Sequence, residues 1–134
     1  MAERKLRWHN YVAADAKMRK AQPESRLQQD IVKHLRARNF FAVHVPNGSK
    51  LAGTAEQRAR TGHRLKLEGA VSGFPDLLVY GKGGRIGHIE VKTEGNYQTA
   101  SQKECARWLT ECGQLVAVCR SIADVDETLA GWGW

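Results

Sequence analysis

The sequence has no apolar run near the roughly 18 residues that a membrane span requires. Its basic N-terminus is not followed by the apolar stretch of a secretory signal. Neither a spanning helix nor an exported precursor is therefore expected. Cysteine is scarce: Cys105, Cys112 and Cys119 are odd in number and form no CxxC. That argues against a disulfide framework and against a structural zinc site. Cys105 and Cys112 lie seven apart and are expected as small core residues on one helix face. The five histidines are scattered, with no pair at ligand spacing. Internal repeats and low-complexity segments are also lacking. These absences point to an intracellular, cytoplasmic domain in a reducing compartment.

Acidic residues are in deficit: 21 Lys and Arg against 14 Asp and Glu give +7. Residues 1–92 carry 18 basic and 8 acidic side chains, and residues 93–134 carry 3 and 6. A basic and a mildly acidic side are expected, and a basic surface suits a polyanionic partner such as nucleic acid. A solvated surface would show the same balance. With 134 residues and 42% hydrophobic content, the chain suits one domain with a single core. Residues 1–22 read as a basic extension, and 23–134 as the domain.

Hydrophobic periodicity orders the elements. Pro23 opens a helix in which Leu27, Ile31, Val32 and Leu35 recur at helical spacing to about Arg38. Glu24 extends that stripe to the helix's first turn, where it either favours the helix dipole or faces a site. Phe40–Val45 reads as a strand, stopped by Pro46-Asn47-Gly48. Thr54 and Gln57 form a capping box for a basic helix running to Glu68. Asp76–Tyr80 and Ile86–Lys92 are short apolar strands around a glycine-rich turn, which reads as a hairpin. Thr99 and Gln102 cap a further helix with a stripe of Cys105, Trp108, Leu109 and Cys112, so Trp108 is expected in the core. Leu115–Cys119 is a buried strand and Ile122–Ala130 a closing helix. The order predicts an α/β or α+β layered domain with a mixed sheet, its last strand able to return as a parallel crossover.

Chemistry concentrates in the hairpin. Alternation puts Glu90 and Lys92 on one face of their strand, roughly 6–7 Å apart along the backbone. An odd connecting loop would set Asp76 directly opposite Glu90, whereas an even loop would turn it to the other face. Two carboxylates with a lysine would suit Mg²⁺, which takes oxygen ligands and keeps several waters. A metal there could acidify a water and stabilise phosphoryl charge, with Lys92 orienting that water or neutralising the developing charge. Alone, Glu90 and Lys92 could be an ordinary charge pair, and Asp76 after Pro75 an ordinary turn residue. The combined pattern is more specific, because its charges interrupt apolar strands where isolated charges are costly.

Glu24 on a first helix, GFPDLLV at 73–79, IEVK at 89–92 and TASQ at 99–102 together resemble the VRR-NUC domain (virus-type replication-repair nuclease). That family lies within the restriction-endonuclease-like superfamily with the PD-(D/E)xK motif. The resemblance spans about residues 23–120, and segments 45–48 and 64–69 also resemble short phage-type members. It implies a restriction-endonuclease-like mixed β-sheet flanked by helices. Carried over by position, it makes Asp76, Glu90 and the Val91 carbonyl the metal ligands and Lys92 the catalytic lysine. Glu24 and Gln102 become helix-borne active-site residues. TASQ departs from the more usual Ser-Pro-x-Gln but keeps the glutamine. The resemblance further implies an endonuclease dependent on Mg²⁺, or Mn²⁺ in its place, in a bacterial or phage-encoded protein. Its substrate would be structured DNA, as for a homodimeric Holliday-junction resolvase. Lys50, Arg58, Arg60, Arg64 and Lys66 are the expected DNA-backbone contacts. His44 and Asn47 either close the first strand or line the cleft. A non-catalytic binding module on the same scaffold, or a nuclease acting on flaps, nicked duplex or RNA, remains the alternative. Trp132 and Trp134 either cover a dimer surface or dock on the domain.

Overall fold

A computed structural model describes residues 23–47 and 51–134. The first helix, α1, spans Pro23–Ala37, with proline at the N-terminal position where its missing N–H leaves no intrahelical bond unmade. It ends where Asn39 adopts φ +69°, a left-handed conformation that asparagine tolerates. The N–H groups of Asn39 and Phe40 then close onto the carbonyls of Arg36 and Leu35, both at 3.0 Å. The remaining elements are β1 (Phe41–His44), α2 (Ala55–Leu67), β2 (Leu77–Gly81), β3 (Arg85–Val91), α3 (Ala100–Glu111), β4 (Leu115–Cys119) and α4 (Ile122–Gly131). Both expected capping boxes form, Thr54 with Gln57 on α2 and Thr99 with Gln102 on α3.

The four strands make one mixed sheet in the order β1-β2-β3-β4. β1–β2 and β2–β3 pair antiparallel, and β4 returns parallel to β3 after the α3 crossover. Ala42, Leu77, Val79, Ile89, Val91 and Cys119 share one face and pack with Ile31 and Leu35 of α1 and Val125 and Leu129 of α4. On the other face α3 lies against β4. No described helix is long and apolar enough to cross a membrane.

Two sequence expectations resolve differently in space. Trp108 is 50% exposed rather than core, because α3 meets the sheet at β4 and buries only the side that holds Cys105. Cys112 is exposed and free, since it is the C-cap of α3 and stands past the helix's last turn. Helix α2 has no buried residue at all. Trp132 and Trp134 dock on the domain: Trp134 stacks on Phe40 with ring centroids 5.8 Å apart, and Trp132 meets Trp134 edge-on at 4.9 Å.

Gly87 is the strand position that admits this docking. A Cβ there would stand 2.4 Å from the Trp132 ring, inside any real contact. Gly87→Ala is expected to expel Trp132 and to cost about 1–3 kcal/mol of stability. Urea denaturation would show this as a lower midpoint at an unchanged slope.

Candidate active site

The hairpin register brings the two hairpin carboxylates together. The loop holds three residues, 82–84, with Gly81 facing Arg85, and Leu77 pairs with Ile89. One step further along, Asp76 lies opposite Glu90, immediately before β2 begins. The odd-loop alternative is therefore the one realised. Gly83 and Gly84 supply the positive φ angles, +76° and +80°, that close so short a turn.

Each group is held from several directions. The Asp76 carboxylate Oδ2 accepts from the Val91 N–H at 2.9 Å, and its main-chain carbonyl accepts from the Val45 N–H at 2.8 Å. Glu90 is 1% exposed and Lys92 8%, and both are buried among strands. Lys92 Nζ lies 3.5 Å from Glu90 Oε1. That same oxygen accepts from Gln102 Nε2 at 2.8 Å, while Gln102 Oε1 accepts from the Thr99 N–H at 2.8 Å. One side chain thus caps α3 and fastens Glu90. Gly73, at φ +80°, lets the 71–76 loop touch the first turn of α3, where a Cβ would sit 2.4 Å from the Ser101 backbone. A cleft of about 130 Å³ opens beside Asp76, between Asn47, Phe74, Ser101 and Gln102.

The remaining sequence candidates fall in different places. Glu24 stands half-buried in the first turn of α1. Asn47 donates through Nδ2 to the carbonyls of Val71 (3.0 Å) and Phe74 (3.2 Å), which fastens the loop that carries Asp76. His44 Nδ1 lies 3.1 Å from the Asp76 carbonyl oxygen and 2.9 Å from Gln28 Nε2. When protonated it donates to the carbonyl, and when bare it accepts from the amide. Arg58, Arg60, Arg64 and Lys66 are all exposed on α2. Arg60 and Arg64 pair with Glu56 (3.1 Å) and Glu68 (3.6 Å) one turn away. Lys50 and the extension 1–22 lie outside the described residues.

His88 went unnoticed in the sequence. It is buried two residues before Glu90 and therefore on the same face. Phe74 meets it edge-on at 5.6 Å, and Gln114 Oε1 lies 3.4 Å from Nε2. Burial lowers its pKa, against a weaker upward pull from Gln114, so it is neutral packing at the floor of the site. The i−2 spacing from Glu90 was the available signal.

Electrostatically, Glu90 is the strained member. Burial and then repulsion from Asp76 push its pKa up to about 7, and Lys92 only partly offsets them. Between about 4.5 and about 7, the folded carboxyl keeps a proton that the unfolded one has released. Metal-free protein should therefore lose stability as pH rises across that window. Glu90→Gln, which has no proton to lose, should flatten that slope. Thermal melts in chelator from pH 4.5 to 8 would show the two curves diverging with pH, and parallel curves would contradict the raised pKa.

A family model of the VRR-NUC domain matches residues 22–123. Among solved structures, one described as "VRR_NUC domain" is similar at TM-score 0.59 and 23% identity, covering 85% of this chain and all of its own. Another, "VRR_NUC domain protein", reaches TM-score 0.61 at 21% identity, covering 84% of this chain and 88% of its own. At that identity the two show the shared fold, a mixed sheet flanked by helices. No curated protein matches the chain. The family model spans most of the chain, and the chain belongs to the VRR-NUC nuclease domain family.

Proposed function

We propose that this domain is a metal-dependent endonuclease that hydrolyses DNA phosphodiesters, acting as a homodimer on branched DNA such as a four-way junction. The observation that carries the reading is the convergence of Asp76 and Glu90, with Lys92 and Gln102 both bonded to Glu90. A buried carboxyl whose proton affinity is raised by burial and by a neighbouring carboxylate is a donor set in want of a cation. Among the described residues no cluster of three His, Cys, Asp or Glu side chains forms a cage. A hard cation that keeps most of its waters, Mg²⁺ or Mn²⁺, fits such a sparse set. Asp76, Glu90 and the Val91 carbonyl would hold it.

When bound, the cation would acidify a coordinated water and polarise a phosphoryl oxygen. The chain's own groups do the rest. Gln102 fixes Glu90 Oε1, so the carboxylate spends little entropy on finding its working position. The Val91 N–H does the same for Asp76. Lys92 Nζ, held beside Glu90 in a buried setting, offers an N–H donor to charge that develops on the phosphate. Arg58, Arg60, Arg64 and Lys66 are exposed basic side chains on α2 that suit backbone phosphates. A small single domain has little surface for base reading, so recognition by backbone and shape is expected. Two symmetric cuts across a junction call for two sites, which a C2 dimer supplies.

A labelled four-way junction and its matched duplex, incubated in Mg²⁺ and in EDTA, test the reading directly. Paired cuts confined to the junction are expected in Mg²⁺ only. Glu90→Ala and Lys92→Ala should each lower the rate by at least about 10²-fold. Binding without cutting in either Mg²⁺ or Mn²⁺ would leave a non-catalytic scaffold, and equal cutting of plain duplex would remove the junction preference. Affinity should also fall steeply with salt, by roughly 10³-fold or more between 50 and 200 mM if about six phosphates are contacted. A flat response would remove the backbone-tracking role of α2.

A further inference from the structure

Residues 93–98 link Lys92 to the α3 cap and so join the two halves of the active site. Their start is rigid: the Asn96 N–H donates to the Thr93 carbonyl at 3.1 Å, the Asn96 amide donates to the Thr93 hydroxyl, and Gly95 supplies φ +81°. Tyr97 follows this turn and is 76% exposed. The Arg120 guanidinium lies over its ring, 5.4 Å from the centroid. Arg120 Nη2 donates to the Asn96 carbonyl at 2.8 Å, and its main-chain N–H donates to Asp124 Oδ2 at 2.8 Å. The preceding residue, Cys119, accepts from the Lys92 N–H at 3.1 Å. The Tyr97–Arg120 pair is therefore tied to the strand ends that carry the site's lysine.

A largely exposed aromatic ring is ordinarily mobile and costs hydration free energy. Here a cation–π contact and a closed turn hold it in place, and most of the ring remains open to solvent. None of its sequence neighbours, Glu94, Gly95, Asn96, Gln98 and Thr99, carries a large apolar side chain. An apolar protein partner would find a single ring rather than a patch. A flat π surface with a fixed positive charge beneath it matches an unpaired nucleobase, whose face stacks on the open side of the ring. A fully paired duplex offers no free base face, whereas a branch point does.

We infer that Tyr97, backed by Arg120, is a stacking platform for an unpaired nucleobase next to the strand being cut. The inference rests on the DNA-nuclease reading above and adds to it the feature that selects branched over plain duplex DNA.

A four-way junction carrying 2-aminopurine at the branch, titrated with full-length protein in EDTA, tests the platform. Wild type should quench the fluorophore on binding, as stacking does. Tyr97→Ala should abolish the quench and weaken junction binding about tenfold, with binding to matched duplex unchanged. Tyr97→Phe should retain both properties, and Tyr97→Leu should behave like alanine because it has bulk but no π face. Arg120→Lys, which keeps the charge but not the planar stack, should reduce the quench. An alanine variant that quenches and binds as wild type does, or a leucine variant equal to phenylalanine, would overturn the platform. If wild type cuts DNA in Mg²⁺ and Tyr97→Ala cuts junction and duplex in the same ratio, the platform falls and the nuclease reading stands. If wild type neither binds nor cuts any DNA, both fall.

Discussion

The buried carboxyl of Glu90 constrains everything around it. A carboxylate with 1% exposure on a central strand is destabilised by several kcal/mol or more unless its oxygens are bonded. Gln102 and Lys92 both approach Oε1, and Asp76 faces it across the hairpin. Each partner imposes a structural requirement. Gln102 reaches Glu90 only if α3 starts at Thr99. Asp76 stands opposite only if the hairpin turn is centred on Gly83. Gly73 must lack a side chain for the 71–76 loop to meet α3. The caps, the turn and the glycine therefore serve one electrostatic problem.

The two faces of the sheet divide the labour. Residues 77, 79, 89 and 91 point into an apolar core with α1 and α4, which supplies stability. Residues 76, 88, 90 and 92 point the other way, where α3 covers only part of the sheet and leaves a cleft beside Asp76. A fully covered face would bury the carboxylates beyond reach of a ligand, and an open one would leave Glu90 hydrated with an ordinary pKa. Partial cover by one helix gives access together with a raised proton affinity.

Element order, both capping boxes and strand β4 were legible because they depend on short-range periodicity and on side chain-to-backbone bonds within four residues. Asp76, Glu90 and Lys92 were legible as candidates because polar residues interrupting apolar strands stand out, and Gln102 through its place in a helix cap and the family resemblance. Trp108 and Cys112 were misread as core. Their helical phase is right for burial, but phase does not say how far the sheet extends beneath the helix. His88 was overlooked because one buried histidine looks unremarkable until its strand face is known. Asn47 looked like a turn residue and proved to be a clasp on a loop nearly thirty residues away.

The sequence by itself determined which residues become helix and strand, which side chains share a face, and the residue types of the candidate active site. It also determined the excess of positive charge in the first 92 residues. The tertiary structure decided the hairpin register, and with it the meeting of Asp76 and Glu90 on one face. It also decided which stripes are buried, and the stacking of Arg120 beneath Tyr97. The physical reason lies in range. Periodicity and capping are local and survive in the linear order, whereas desolvation, loop parity and cation–π contact depend on what the folded chain brings alongside.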